Sequence, residues 1–326
     1  MEQEALNNSA CPFVVRFHHP NNLEQGNINV PSAYMRVWFD AARPRTLPAA
    51  ASPVILGTAL AMGDGAFHGG AAAAALFGAL LIQIAANYAN DYYDYVKGAD
   101  TSARVGPQRA TQAGLVAPAR MRMATIAALA LATLPGLYLV HRGGLPILVI
   151  GVLSMLFAVL YTGGPMPLGY IGVADLFVLV FFGPVAVAGT YYVQARDMSL
   201  IPLSAGLAPG LISMAILTVN NLRDMEEDRQ AGKKTLAVRF GSAFARWEYL
   251  LAMFIAILAV PVCLSFMADG RRGALVACVM IIPAMRCARI VFTTRDGATL
   301  NTCLAATGKV LLGFSLLFSA GWLLWA

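Results

Sequence analysis

From residue 47 onward the chain alternates long apolar runs with short polar ones. A run of about 20 apolar residues, coiled as a helix, matches the thickness of a bilayer. Nine such runs can be drawn, over residues 47–67, 70–93, 121–140, 143–161, 170–193, 200–222, 247–267, 273–292 and 302–326. The pattern predicts an all-α fold, a polytopic membrane bundle of about nine transmembrane helices, placed as a transmembrane domain over residues 37–326. Residues 1–36 are mixed and polar, with no apolar core long enough for a cleaved signal peptide, and are expected to form a flexible cytoplasmic tail. Aromatic and basic residues between Met35 and Thr46 suit the membrane interface just before the first span.

Composition strengthens this reading. Of 326 residues 58% are hydrophobic and 12% charged, and the mean hydropathy is +0.65, which excludes an ordinary soluble domain. The net charge of +6 does not mark a nucleic-acid surface, because the basic residues sit in short loops between apolar runs. Assigned to alternate loops with the amino terminus inside, 19 Lys and Arg fall on the inner side and 4 on the outer. That bias predicts a multi-pass protein of the inner (plasma) membrane whose amino terminus is cytoplasmic. Five cysteines without a Cys-x-x-Cys pair, and four histidines without zinc spacing, are assigned no chemistry.

Two polar clusters interrupt the apolar pattern where a span should end. The first closes the run at 70–93. On a helix Asn87, Asn90, Asp91 and Asp94 fall at i, i+3, i+4 and i+7, on one face. In the second, Asn220, Asp224 and Asp228 repeat that geometry at i, i+4 and i+8. A carboxylate at the bilayer centre costs roughly 2.5–3.5 kcal/mol, so these acids belong at a span end or in a wet cavity. A helix C-terminus disfavours anions as well, and a cationic partner is therefore expected. The charge bias opens both clusters to the cytoplasm.

Lys97, Arg104, Arg109, Lys233 and Lys234 in the adjoining loops give the site both signs of charge. Mg²⁺ takes one or two carboxylates, phosphate oxygens and water, and Arg or Lys neutralises the remaining phosphate charge. A diphosphate held between metal and cations satisfies both sets, and grooves between small-residue helices suit a polyisoprenoid tail. An ion-coupled secondary transporter is the alternative from another class. Its acids should lie mid-span, whereas here both clusters end spans.

The blocks Arg43-Pro-Arg-Thr-Leu-Pro48, Asn90-Asp-Tyr-Tyr-Asp-Tyr-Val-Lys-Gly-Ala-Asp100, Arg104-Val-Gly-Pro-Gln-Arg109, Tyr161-Thr-Gly-Gly-Pro165, Gly169-Tyr-Ile-Gly-Val-Ala-Asp175, Phe181-Phe-Gly-Pro184 and Asn220-Asn-Leu-Arg-Asp-Met-Glu-Glu-Asp-Arg-Gln-Ala-Gly-Lys-Lys-Thr-Leu236 together resemble the UbiA superfamily of intramembrane prenyltransferases, over about residues 37–326. Within it they look most like the branch that prenylates 1,4-dihydroxy-2-naphthoate. The resemblance implies transfer of a polyprenyl group from polyprenyl diphosphate to that ring, with loss of CO₂ and diphosphate, to give a demethylmenaquinone. A 4-hydroxybenzoate or another quinone-precursor ring is the alternative acceptor.

It further implies Mg²⁺ on Asp91, Asp94, Asp224 and Asp228. The superfamily's usual third acid, four residues after Asp94, is Gly98 here, and Asp100, two further on as in the naphthoate branch, joins the expected metal ligands. Diphosphate contacts are expected from Asn90, Lys97, Arg104, Arg109, Asn220 and Lys233. Catalysis is expected from Asp94 and Asp224, with Tyr161 and Asp175 orienting or deprotonating the acceptor hydroxyl. Arg43 and Arg45 read equally as topology signals or as substrate contacts. Glu226 and Glu227 read as a solvated loop edge.

Overall fold

The computed structural model describes residues 30–98, 106, 109–268 and 271–325. The chain divides into two units, 1–36 and 37–326. Of the first, only the start of helix α1 (Val30–Ala41) is described. Asp100 and Arg104 lie outside the described residues.

After a 3-10 turn at Pro44–Thr46 the second unit runs through α2 (Leu47–Gly63), α3 (Gly69–Val96), α4 (Pro118–Gly143), α5 (Leu145–Leu160) and the single turn α6 (Leu168–Ile171). One broken span follows, α7 (Ala174–Val180) and α8 (Ala186–Ala195) joined by a π turn at Phe181–Val185. Then come α9 (Leu200–Arg223), the short α10 (Met225–Gln230), α11 (Leu236–Phe254), α12 (Val260–Met267), α13 (Ile281–Thr293) and α14 (Gly297–Leu324). Among the described residues every element is helical, and eight helical segments are long and apolar enough to cross a bilayer. The ninth expected run is α5, whose 16 residues make it shorter than the other spans. The protein is a multi-pass helical membrane protein.

Local sequence sets the helix ends. His68 caps α3, its Nδ1 accepting from the Ala71 N–H at 3.1 Å, and Gly98 at φ +63° follows its last turn in the left-handed conformation that closes helices. Pro118 starts α4 at a position where its missing N–H costs nothing. The break between α7 and α8 falls at Gly183-Pro184, where Gly183 is non-helical and the proline removes a backbone donor.

Small residues then seat this broken span against α9. A Cβ on Gly206 would come within 2.6 Å of the Pro184 Cα, and one on Gly210 within 2.3 Å of the Leu179 carbonyl. Backbones approach this closely only where side chains are absent.

The core joins α2, α9, α11 and α14 through fully buried Leu56, Ile212, Tyr249, Phe314, Phe318 and Trp322. Outward faces are apolar too, with Leu134, Leu137, Leu145, Leu156 and Phe266 exposed, as expected where lipid replaces water. At the end of the unit where α2 finishes, Asp64 accepts from Tyr191 Oη at 2.9 Å and from Arg271 Nη1 at 3.1 Å. The polar clusters lie at the other end, where α3 and α9 finish.

Candidate active site

The last turns of α3 place four polar side chains, and their surroundings separate them. Asn87 donates to the Ala42 carbonyl at 2.8 Å and to Thr46 Oγ1 at 3.1 Å, fixing the turn before α2. Asn90 accepts from Thr162 Oγ1 at 2.8 Å. Asp91 is turned to the loop before α4, its two oxygens accepting the Ala110 and Thr111 N–H groups at 2.9 Å each. Asp94 carries the charge contacts: Arg109 Nη2 at 2.8 Å, Lys233 Nζ at 4.0 Å, and Tyr170 Oη donating at 3.4 Å.

At the end of α9, Arg223 grips Asp224 in a fork, Nε to Oδ1 at 2.6 Å and Nη2 to Oδ2 at 2.5 Å. The same guanidinium donates to Asn220 Oδ1 at 2.8 Å and to Asn301 Oδ1. Asp224 ends α9 and starts α10, and one turn later Asp228 receives Lys233 Nζ at 3.3 Å. Burial pushes the Asp228 carboxyl up from the ordinary range, against the opposing pull of the Lys233 ammonium. Glu226 lies outside, paired with Arg229 on the surface.

Tyr170 of α6 joins the clusters. Lys97 Nζ stands 4.9 Å and Lys233 Nζ 5.1 Å from its ring centre, so the electron-rich ring favours both positive charges. Lys97 also donates to the Thr162 and Gly164 carbonyls at 2.6 and 3.3 Å. Its ammonium is eased downward by desolvation first, with Asp94 pulling the other way. The Tyr170 carbonyl accepts the Lys234 N–H at 2.8 Å, stitching α6 to the loop after α10.

Between the two clusters opens a cavity of about 560 Å³. Asn90, Asp94, Arg109, Tyr161, Asn220, Asp224, Asp228 and Lys233 line its polar end, so eight of the expected site residues come together there. Asp91, Lys97 and Asp175 are not on its wall. Asp175 is buried, with neither oxygen meeting a hydrogen-bond partner, and it neighbours Tyr161 electrostatically. The rest of the cavity is apolar. Phe157, Phe177 and Phe181 form an aromatic corner with centroids 4.7–6.1 Å apart. Helix α5 is one wall, turning Ile147, Ile150, Ser154 and Ala158 inward and leaving Leu145, Val149 and Leu156 exposed.

Sequence reasoning missed Arg223, counted only as a loop charge, and the roles of Thr46, Thr162 and Tyr170. Arg223 had one signal, its place directly before Asp224. The threonines had none, since a hydroxyl in a turn looks the same whether or not a distant amide reaches it.

Among the described residues, no group of three or more His, Cys, Asp or Glu is gathered closely enough to hold an ion by itself. The donor chemistry nevertheless fits a hard cation. Asp94, Asp224 and Asp228 rim one mouth with the Asn90 and Asn220 amides, and Mg²⁺ needs only one or two carboxylates when phosphate and water complete its shell.

Residues 50–307 match the UbiA prenyltransferase family, and the chain belongs to that family. Relatives with a more particular name are "1,4-dihydroxy-2-naphthoate octaprenyltransferase" of Mycobacterium tuberculosis, 40% identical over 286 residues, and of Escherichia coli, 38% identical over 295 residues. The matches cover 86% and 88% of this chain and 94% of each relative. In fold it is similar to a UbiA homolog from Archaeoglobus fulgidus, with a TM-score of 0.63 at 15% identity over 88% of this chain and 99% of that one. It is also similar to that homolog bound to GPP and Mg²⁺, with a TM-score of 0.62 at 15% identity over 87% of this chain and 99% of that one.

Proposed function

We propose that this protein transfers a polyprenyl group from polyprenyl diphosphate to 1,4-dihydroxy-2-naphthoate, releasing CO₂ and diphosphate and giving a demethylmenaquinol, the reduced form of a demethylmenaquinone. The observation that carries the reading is the meeting of two acidic helix ends, from α3 and α9–α10, at the mouth of one apolar cavity. The relatives' shared name favours this acceptor over 4-hydroxybenzoate.

The prenyl tail lies along the apolar cavity and the diphosphate at its polar end. Asp94, Asp224 and Asp228 would hold Mg²⁺, which would supply positive charge to neutralise the departing diphosphate. Asp100 remains an expected ligand. Arg109 and Lys233 now bridge to Asp94 and Asp228, and on binding they turn to the phosphate oxygens, joined by Lys97 and Arg104. Asn90 and Asn220 donate their amide protons there. Asp91 serves the site by anchoring the loop that delivers Arg109.

The allylic C–O bond breaks and its electron pair leaves on the diphosphate. The ring carbon bearing the carboxylate attacks the allylic carbon, and the C–CO₂ bond then returns its pair to the ring as CO₂ departs. Phenylalanine walls exclude water that would capture the cation. Tyr161 on the cavity wall orients a ring hydroxyl, and buried Asp175 behind it acts through Tyr161.

The uneven Lys and Arg distribution supports a cytoplasmic amino terminus and a mouth opening to the cytoplasm, in the inner membrane of the cell. The test is purified protein with Mg²⁺, dihydroxynaphthoate or hydroxybenzoate, and a polyprenyl diphosphate, with products read by mass spectrometry. Prenylated naphthoquinol is expected, lost with EDTA and restored by Mg²⁺. Product from hydroxybenzoate alone would overturn the acceptor, and full turnover in EDTA would overturn the metal role.

A further inference from the structure

Asp224 stands where a helix least favours an acid. It follows the last residue of α9 and opens α10, and the free carbonyls at a helix C-terminus repel an anion. The residue directly before it compensates. Arg223 forks the two Asp224 oxygens at 2.6 and 2.5 Å, and donates to Asn220 Oδ1 at 2.8 Å and to Asn301 Oδ1. Asn301 belongs to the second turn of α14, whose start is fixed by Asp296 accepting the Thr299 N–H at 2.8 Å. One guanidinium thus ties the end of α9 to α14 and holds two side chains, Asp224 and Asn220, that line the cavity.

The other acids of the mouth are paired too, Asp94 with Arg109 and Asp228 with Lys233. Those two cations lie on the cavity wall, where an entering phosphate can reach them. Arg223 is not on the wall, and its side chain is only 2% exposed. To meet a phosphate it would have to leave four hydrogen bonds and strand buried acceptors, which is costly. Two cations can therefore change partners, and the third stays.

We propose that Arg223 is a positioning residue acting through Asp224 and Asn220, a resident cation that makes the mouth a poor site for a lone divalent ion and a good one for an ion arriving with a diphosphate. An ion entering alone meets carboxylates whose charge is already offset. A diphosphate draws Arg109 and Lys233 to itself and releases Asp94 and Asp228, while Arg223 keeps Asp224 and Asn220 aimed into the cavity. The inference rests on the metal role proposed above for the three acids.

The test measures Mn²⁺ binding by electron paramagnetic resonance in purified protein, first without substrates and then with polyprenyl diphosphate, corrected for the ion that the diphosphate holds by itself. Single-turnover rates are taken in parallel for wild type, R223Q, R223K and N301A. In substrate-free R223Q the Kd for Mn²⁺ should fall about tenfold or more, the effect expected when one adjacent positive charge is removed, while turnover also falls about tenfold or more as Asp224 loses its orientation. Misfolding would weaken both, so tighter metal with slower turnover separates positioning from a merely structural role. R223K keeps the charge without the fork, and should hold Mn²⁺ within about threefold of wild type yet turn over as slowly as R223Q. N301A leaves the ion pair whole, and should keep the Mn²⁺ affinity within about threefold while slowing turnover. A wild type that gains Mn²⁺ affinity with the diphosphate, beside an R223Q whose substrate-free Kd is unchanged or weaker, overturns the role of Arg223 alone, as does R223K at the wild-type rate. A wild type that binds no Mn²⁺ in either state overturns the metal role of the acids and this inference together.

Discussion

Asp91 and Asp94 sit three residues apart on one helix, and their neighbours give them different work. Asp94 meets Arg109, Lys233 and Tyr170 in the cavity, whereas Asp91 holds two backbone N–H groups of a loop. Asp94→Ala is therefore expected to lower kcat about a hundredfold or more in folded protein, as loss of an electrostatic anchor does. Asp91→Ala should instead lower stability by about 2–4 kcal/mol, because two buried donors lose their acceptor, and thermal unfolding in detergent separates the two outcomes. Tyr170 makes a sharper comparison. Its ring serves two ammonium groups and its hydroxyl serves Asp94. Tyr170→Phe should keep the KM for polyprenyl diphosphate within about threefold of wild type, and Tyr170→Ala should raise it about tenfold, in steady-state assays. Helical spacing made the shared face of Asn87, Asn90, Asp91 and Asp94 legible in the sequence. It could not show that a loop some 20 residues later would claim Asp91, since that contact is tertiary. Arg223 was hidden for a related reason: a charge next to a span end reads as topology until the side chain is seen to turn inward.

At the scale of elements, the apolar runs located the spans well and their interruptions poorly. The boundary of the run at 170–193 concealed a separate turn, α6, and a span broken at Gly183-Pro184. Hydropathy averages over both, whereas the break depends on Gly206 and Gly210 of α9 receiving the displaced backbone. Gly210→Val would force α9 away from Leu179, at a cost of about 1–3 kcal/mol typical of overpacking. The expected result is a lower Tm together with reduced activity, because α9 carries Asn220 and Asp224 at its far end. A valine tolerated there with wild-type Tm would show that the close approach is not needed.

For the whole molecule, the sequence carried the architecture and the family, because bilayer thickness and charge balance act on runs of residues rather than on single contacts. The cavity had no such signature, being defined by helices far apart in the chain. Orientation is open to direct measurement. In a background with the native cysteines replaced, Ser199→Cys, in the turn before α9, should react with a membrane-impermeant maleimide added outside intact cells. Gly232→Cys, in the turn after α10, should react only after permeabilisation; the reverse pattern would invert the molecule.

Helix α5 adds a consequence of its own. With 16 residues it spans about 24 Å against a hydrocarbon layer of about 30 Å, yet it alone parts Ile147 and Ile150 from the exposed Leu145 and Val149. Annular lipids must compress beside this short stave, and the strain grows with every added methylene. Turnover in nanodiscs should therefore decline as phosphatidylcholine acyl chains lengthen from 14 to about 22 carbons, making the host bilayer a tuner of catalysis.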